Sequence, residues 1–400
     1  MTETMTETTT ETRTETMLLS FEAYRTEDAT ELLSDSPLST EVLLKISDDV
    51  RRALKGSRGM SQQRVRLLNE LLQRLIEDET KRNSYAVRLS TIVDARLDRL
   101  LEGLVASKHN VKETAPQFNQ CVVRSILLYK LWQTRFGSKL LTIDQRRRID
   151  LCQVGSLAGV SLDTKWEIGR PLWTTESLVS RVDGIGSLGF QTGAWWLSTQ
   201  CAYRDGIVNS MNGSLKTGAY GLTSLVLLHG EELEGSSSKE IVYIREGRMK
   251  DVGSRLLLHL GKIVRLLRNY TLRSRLAPSA GLRYDGLANL NDVYPRYKLE
   301  RYGLKLNPGT NRYRMTVVLE KVDLKNDTAF LTSIPTASQL DDWEAYRKME
   351  DDHVQAKLGL TEFEKWRTEQ WEEEGKRRRW HDTSKMKIED GFTMSASPTE

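Results

Sequence analysis

The chain has 400 residues, a formal net charge of +4 and three widely separated cysteines, Cys121, Cys152 and Cys201. This length predicts two or three domains, because one hydrophobic core usually serves roughly 100–200 residues. The cysteines form no CxxC pair and no two histidines have helical spacing, which excludes a disulfide framework, a zinc ribbon and a RING finger. Since neither a long apolar run nor a signal-peptide pattern is present, we expect no membrane partner and no secretion.

The N-terminal part of the sequence changes in character at about residue 40. Threonine and glutamate dominate the start, so residues 1–39 are predicted to be a disordered tail. Apolar residues then recur at helical spacing, which predicts a helical domain over residues 40–150. Ser61 is placed to cap one helix, and another is expected over residues 117–136 with Val122 and Ile126 facing inward.

The centre of the sequence favours a sheet. Short β-branched and aromatic runs, broken by glycine, predict strands at residues 222–228, 240–244, 261–267 and 315–322. Such strands, without long helices between them, are typical of an antiparallel sheet closed or nearly closed into a barrel. Residues 335–400 form a charged, Trp-rich helical tail whose end is expected to be disordered. Its aromatic side chains are expected either to pack back on the barrel or to dock on another protein.

Basic residues are concentrated between positions 241 and 283, where only Glu246 and Asp251 are acidic. This excess predicts a phosphate-binding face, and a solvated strand face is the alternative. The basic residues of this run are Arg245, Arg248, Lys250, Arg255, Lys262, Arg265, Arg268, Arg273, Arg275 and Arg283.

Four short motifs follow one another through the same region. They are Trp195-Trp196 with Arg204-Asp205-Gly206, then Thr217-Gly218-Ala219-Tyr220, then Gly261-Lys262-Ile263-Val264-Arg265, and last Arg283-Tyr284-Asp285-Gly286. In this order they resemble the SRA-YDG domain of the fungal type, over residues 162–323. The resemblance implies an α+β chain, in which a PUA-like β-barrel is flanked by the N-terminal helical domain and the C-terminal helical tail.

The family reads modified bases in DNA, so the resemblance implies duplex DNA as the partner, including methylated CpG, and the nucleus as the location. A base is swung out of the duplex into a pocket, which must offset a few kcal/mol of lost stacking. Tyr243 matches one stacking aromatic of the pocket, Glu231 stands at the position of the other, and Glu234 replaces the aspartate that binds the cytosine amino group. Ile207 falls where the family has an apolar wedge. The other candidates for DNA contact are Asn209, Tyr220, His229, Gly230, Arg245, Arg265, Arg268 and Arg275.

The motif residues themselves are predicted to be structural. Gly286 is expected to permit a tight turn, and Asp285 to cap backbone amides. The same role is predicted for Trp195, Trp196, Arg204, Asp205, Gly206, Gly218, Ala219, Arg283 and Tyr284.

Two functions therefore stay open. The first is a nuclear protein that binds DNA and chromatin, with chromatin proteins on its helical flanks. The second is a protein-interaction scaffold whose barrel has lost base recognition, because Glu231 replaces an aromatic residue and the segment between Gly247 and Gly261 is short. No histidine, metal cluster or cofactor motif completes a catalytic site around the glutamates at 231, 232 and 234. The sequence thus predicts no enzyme, no cofactor and no small-molecule substrate.

Overall fold

The computed structural model describes residues 39–56, 59–81, 84–107, 116–168, 172–176, 186–213, 223–237, 239–249, 260–286, 297–321 and 329–393. The chain divides into two compact units, Met1–Arg147 and Arg148–Glu400. Within the described residues, no helix combines the length and the apolar character that a membrane crossing requires. The predicted tail at 1–39 lies outside the described residues, apart from the capping residue at its end.

The first unit is helical. Its helices are α1 (Thr40–Lys55), α2 (Gln62–Thr80), α3 (Leu89–Asp94), α4 (Leu97–Ser107), α5 (Pro116–Phe136), a 3-10 helix (Gly137–Thr142) and α6 (Ile143–Gln153), within which the boundary between the units falls. The Ser39 and Ser61 hydroxyls accept hydrogen bonds from the backbone amides of Val42 and Arg64, which confirms the predicted cap at Ser61.

The core of this unit is a set of leucines at helical spacing, and Leu68, Leu72 and Leu100 are completely buried in it. The prediction that Ile126 faces this core is wrong, because 36% of Ile126 is exposed. The buried side of α5 instead includes Ser125, whose hydroxyl is bonded to a carbonyl one turn earlier, so this polar residue needs no solvent.

The described residues of the second unit include ten strands. They are β1 (Ser161–Leu162), β2 (Trp173–Thr174), β3 (Trp195–Trp196), β4 (Ser224–Leu227), β5 (Glu231–Glu234), β6 (Glu240–Gly247), β7 (Ile263–Asn269), β8 (Leu282–Gly286), β9 (Tyr297–Asn307) and β10 (Arg312–Lys321). Strands β1 and β2 pair with each other. The main sheet has the order β3-β8-β7-β9-β10-β6-β5 with antiparallel neighbours, and β4 joins β7 as a parallel partner.

The main sheet curls back on itself. The amide of Glu232 on β5 donates to the carbonyl of Arg273 at 2.9 Å, and the amide of Arg273 donates to the carbonyl of Gly230 at 3.0 Å. Because Arg273 follows β7, these bonds join the far edge of the sheet to the end of an inner strand. We call the strands β4 to β7, β9 and β10 the curled sheet. Its interior is filled by apolar side chains, including Leu227, Val264 and Val317.

Four helices follow or interrupt these strands in the described part of this unit. They are α7 (Thr199–Arg204), a 3-10 helix (Ala329–Ser333), α8 (Ala337–Leu358) and α9 (Leu360–Thr393). Tyr346 and Met349 of α8 belong to one apolar cluster with Tyr284 of β8. The Tyr346 ring stacks on Trp173 with centroids 4.8 Å apart. Part of the Trp-rich segment therefore packs back on the sheet.

Candidate nucleic-acid interface

Tyr243, the predicted stacking aromatic, lies inside the curled sheet. It is 1% exposed, and its hydroxyl donates to the carbonyl oxygen of Leu228 at 2.7 Å. Burial raises the pKa of Tyr243 to about 12. A base can stack only on a ring face that it can reach, so the prediction that Tyr243 stacks on a flipped base is wrong for this structure. The ring supports the core, and the hydroxyl holds the turn before β5.

Glu231 and Glu234 do not join Tyr243 in one pocket. In the register of β5 and β6 the partner of Tyr243 is Glu232, and adjacent residues of a strand face opposite sides. Glu231 accordingly accepts a hydrogen bond from the indole Nε1 of Trp380 on α9, at 2.9 Å. Glu234 is exposed and lies opposite Ile241. The predicted base pocket is therefore not assembled from these three residues.

His229 and Gly230 form the turn that leads into β5. Both have a left-handed backbone, with φ of 53° and 82°. A Cβ on Gly230 would lie 2.3 Å from the carbonyl oxygen of Ile244, so only glycine fits there. The backbone amide of His229 donates to the Thr271 hydroxyl at 3.2 Å. This segment is shaped by the closure of the sheet, and the side chain of His229 is exposed beside it.

Arg268 and Arg283 belong to a buried ion network, which we define as Glu232, Arg268, Arg283 and Asp285. Arg268 donates to Glu232 at 2.6 Å and to Asp285 at 2.5 Å. Arg283 donates to the other oxygen of Asp285, also at 2.5 Å, and to the carbonyl of Leu331 at 2.7 Å. The charges of two guanidinium groups and two carboxylates thus cancel inside the protein, where an unpaired charge is costly.

The buried ion network corrects two predictions. Arg268 is 1% exposed, so it does not line a groove for DNA phosphates. Asp285 receives the two guanidinium groups instead of capping backbone amides. The physical reason is that β7 is covered on both faces, since every residue from Val264 to Asn269 is buried.

Arg265 is excluded from a DNA groove for the same reason. It is completely buried, and its Nη1 donates to the carbonyl of Gly186 at 2.8 Å. Arg245 lies half-buried on the inner side of β6, beside the Tyr243 hydroxyl. Arg275 is exposed.

Ile207 and Asn209 follow α7. Ile207 is completely buried in the cluster that includes Trp196 and Cys201, so its predicted role as a wedge is wrong, because a wedge must project into solvent. Asn209 is half-buried, with its amide 3.5 Å from the hydroxyl of Thr223.

The tryptophan and Arg-Asp-Gly motif builds the scaffold. Arg204 donates to the carbonyls of Ser156 and Ala158, and Asp205 accepts the indole hydrogen of Trp196 at 2.8 Å. The indole of Trp195 donates to the carbonyl of Ala280 at 2.7 Å. Gly206 has a φ of 84° and ends the motif.

Some predicted residues lie outside the described residues. These are Gly218, Ala219 and Tyr220, together with Lys250, Asp251 and Arg255 of the basic run. Of that run, Arg248, Lys262, Arg273 and Arg275 are exposed in the structure.

The sequence analysis missed three further exposed basic residues, Lys305, Arg312 and Arg314, which lie on β9 and β10. They fall after the end of the basic run at Arg283. Their signal in the sequence is the alternation Arg312-Tyr313-Arg314 directly after a turn rich in asparagine and glycine.

In the described part of the chain, no group of three or more His, Cys, Asp or Glu side chains is arranged to hold a metal ion. The helical unit has an open cleft of about 410 Å³ between α2 and α5. Its walls carry both signs of charge, from Arg66 and Arg74 to Glu70 and Glu77, so the cleft does not favour one class of charged ligand.

Comparisons with known proteins give remote structural similarity only. No family model matches the sequence, and no curated protein matches it. The chain is similar to the modification-dependent restriction endonuclease TagI, with a TM-score of 0.27 and 16% identity over 40% of this chain and 57% of the endonuclease. It is also similar to SUVH6 of Arabidopsis thaliana in complex with SAM, with a TM-score of 0.30 and 16% identity over 39% of this chain and 30% of the SUVH6 chain. The SUVH5 SRA complex with hemi-methylated CG DNA is similar with a TM-score of 0.26 and 14% identity, over 36% of this chain and 97% of the SUVH5 chain.

Proposed function

We propose that the protein is a nuclear DNA-binding protein whose curled sheet contacts the phosphate backbone of duplex DNA without extracting a base. The observation that carries this proposal is that the basic residues in and next to the sheet fall into a buried group and an exposed group. Arg268 and Arg283 are neutralised inside, whereas basic residues such as Lys262 and Arg273 are exposed. Phosphate contacts need cations that reach solvent, and such contacts supply most of the affinity of non-specific binding.

The contacts of the predicted pocket support the absence of base extraction. Tyr243 uses its hydroxyl on the backbone carbonyl of Leu228, and Glu231 is bonded by Trp380. A flipped base costs a few kcal/mol and has to regain that energy from stacking and hydrogen bonds. With these groups already engaged, we expect that methylation of CpG does not change the affinity.

A binding series tests this function on the full chain. Fluorescence anisotropy would compare duplexes with unmodified, hemimethylated and fully methylated CpG sites, each over a range of salt concentrations. We expect equal affinities that fall steeply with salt. A preference for one methylated duplex would contradict backbone-only binding, and no binding to any duplex would reject the DNA function.

A second candidate is a protein-interaction scaffold with chromatin partners. It is favoured by Trp371 on α9, which is 61% exposed and lies under the guanidinium of Arg367 at 4.9 Å. An exposed tryptophan next to arginine is typical of binding hot spots. Trp371→Ala should abolish capture of a chromatin partner by the full chain without changing DNA affinity. Retention of every partner by this variant would count against the scaffold.

The nuclear and chromatin location is part of the same proposal. A tagged full-length chain should sediment with chromatin and be released as the salt concentration rises, since backbone contacts weaken with salt. Recovery of the chain in the cytosolic fraction at low salt would contradict it.

A further inference from the structure

Three basic side chains meet on the outer face of the hairpin formed by β9 and β10. Arg314 lies directly opposite Lys305 in the register, and Arg312 precedes Arg314 by two residues on the same face. All three are exposed. The residues between them face the other way, since Tyr313 packs on the apolar interior and Met315 is 1% exposed. We call Lys305, Arg312 and Arg314 the hairpin end.

This arrangement brings like charges together at the protein surface. Like charges directly opposite each other on neighbouring strands repel, at a Cβ separation of about 5 Å. Glu246 lies opposite Arg314 on β6, but in the described part of the chain none of the three basic side chains forms an ion pair. Among the described residues, the repulsion is therefore not relieved by an ion pair.

The other end of the same two strands is different. There, Arg301 donates to Glu240 at 3.0 Å, and Lys298 is paired with Glu300 and lies 3.9 Å from Glu320. Basic residues on one outer face are thus neutralised at one end and left uncompensated at the other.

The turn holds the hairpin end in place. The side-chain oxygen of Asn307 accepts the backbone amide of Gly309 at 3.1 Å, and Asn311 has a left-handed φ of 50°. Arg312 and Arg314 follow this turn on a strand that is paired on both sides. A rigid backbone lowers the conformational entropy that is lost when its long side chains bind a ligand.

We propose that the hairpin end binds consecutive phosphates of one strand of duplex DNA. This inference rests on the proposed function and locates its phosphate contact outside residues 241–283, the basic run in which the sequence analysis placed it. Cations about 5–7 Å apart on a strand pair match a ligand that carries closely and regularly spaced negative charges. Phosphate oxygens accept hydrogen bonds from arginine in pairs, which favours two arginines at the centre of the surface.

The test compares two double variants of the full chain with equal loss of charge. Arg312→Gln with Arg314→Gln removes the hairpin end, and Lys298→Gln with Arg301→Gln removes the paired cations at the other end of the same strands. All four positions lie on the outer face, so circular dichroism should show both variants folded. Binding to an unmodified duplex would be measured by anisotropy across a salt series.

We expect the hairpin-end variant to lose on the order of tenfold in affinity, and the slope of log K against log salt to fall by about 2, since two phosphate contacts are removed. The control variant should stay within about twofold, because its cations are already paired. Equal losses in the two variants would overturn the hairpin end while leaving the DNA function intact.

Two other outcomes bear on the ligand. If the wild-type chain binds no duplex, the proposed function and the hairpin end both fail. Vesicles of phosphatidylserine and phosphatidylcholine, and a polyglutamate peptide, would be tested beside the duplex. Tighter, hairpin-dependent binding to either of these would show that the surface recognises a membrane or an acidic protein, and would overturn the assignment to DNA.

Discussion

The buried ion network and the hairpin end place arginines of one sheet in opposite situations. Arg268 is enclosed by Glu232 and Asp285 in the interior, whereas Arg314 stands in solvent opposite Lys305. The difference follows from position in the sheet. Strand β7 is covered on both faces, and the outer face of β10 is open at the hairpin end. An arginine on β7 therefore supports the fold, whereas an arginine at the hairpin end of β10 is available to a ligand.

The two regions also differ in what a change of charge does. In the interior, the low dielectric makes the loss of one partner costly, because the other charge stays buried. At the hairpin end, water and salt screen each charge, so its removal hardly affects stability but changes the attraction of a charged ligand. Four predictions test this contrast.

The largest effect is expected from Asp285→Asn. This change leaves the guanidinium groups of Arg268 and Arg283 with one buried carboxylate in place of two. We expect a loss of about 3–5 kcal/mol in the free energy of unfolding, measured by urea denaturation. Glu362→Gln is the control, because its pair with Lys365 is exposed and should be worth within about 0.5 kcal/mol. A loss below about 1 kcal/mol for Asp285→Asn would show that the buried ion network is not important for stability.

The helices and several strands were predictable from the sequence, because their signals are local. The helical spacing located α2 and α5, and apolar runs located β4, β6, β7 and β10 within a few residues. Strand β8 was missed as a strand, since Tyr284-Asp285-Gly286 has the composition of a turn. Arg283 and Asp285 tolerate burial because they pair with each other and also with Arg268 and the Leu331 carbonyl, which lie in other elements.

The candidate site was much less predictable. Glu232 and Arg268 are 36 residues apart in the sequence, and no local pattern shows that they pair. A count of basic residues treats Arg268 and Arg314 as equal, although only the second reaches solvent. The resemblance singled out Trp196 and Asp205, which are hydrogen-bonded to each other in the structure, but it did not reveal that Tyr243 is enclosed.

The second prediction concerns Tyr243, an uncharged polar residue of the interior. Tyr243→Phe removes the donor to the Leu228 carbonyl, so we expect a loss of about 1–3 kcal/mol in the free energy of unfolding. Affinity for duplex DNA should not change, because the ring does not reach solvent. Tyr313→Phe, at a half-buried position, serves as the control for the loss of a hydroxyl and should be nearly neutral. Weaker DNA binding by Tyr243→Phe, with the fold intact, would restore the base-pocket hypothesis.

The third prediction uses alkaline pH to test the enclosure of Tyr243. Its folded pKa of about 12 exceeds the usual value of 10.0, so ionisation in the unfolded chain favours unfolding as the pH rises between these values. From pH 9 to pH 11, the free energy of unfolding of the wild type should fall by about 1.4 kcal/mol more than that of Tyr243→Phe. Parallel curves for the two proteins would mean that the phenol ionises as easily in the folded state, and hence that it is open to solvent.

The smallest effect is expected at the surface, from Glu246→Gln. Glu246 is the acidic residue opposite Arg314, so its neutralisation should raise the affinity for duplex DNA by roughly two- to threefold at about 0.1 M salt, without a measurable change in thermal midpoint. Glu300→Gln makes the same change in net charge at the paired end of the hairpin. That position is five residues from Lys305, about 16 Å along an extended strand and beyond the Debye length of about 10 Å at 0.1 M salt. If the hairpin end is the phosphate contact, only the first variant binds more tightly; an equal gain in both would mean that overall charge, and not this surface, attracts the DNA.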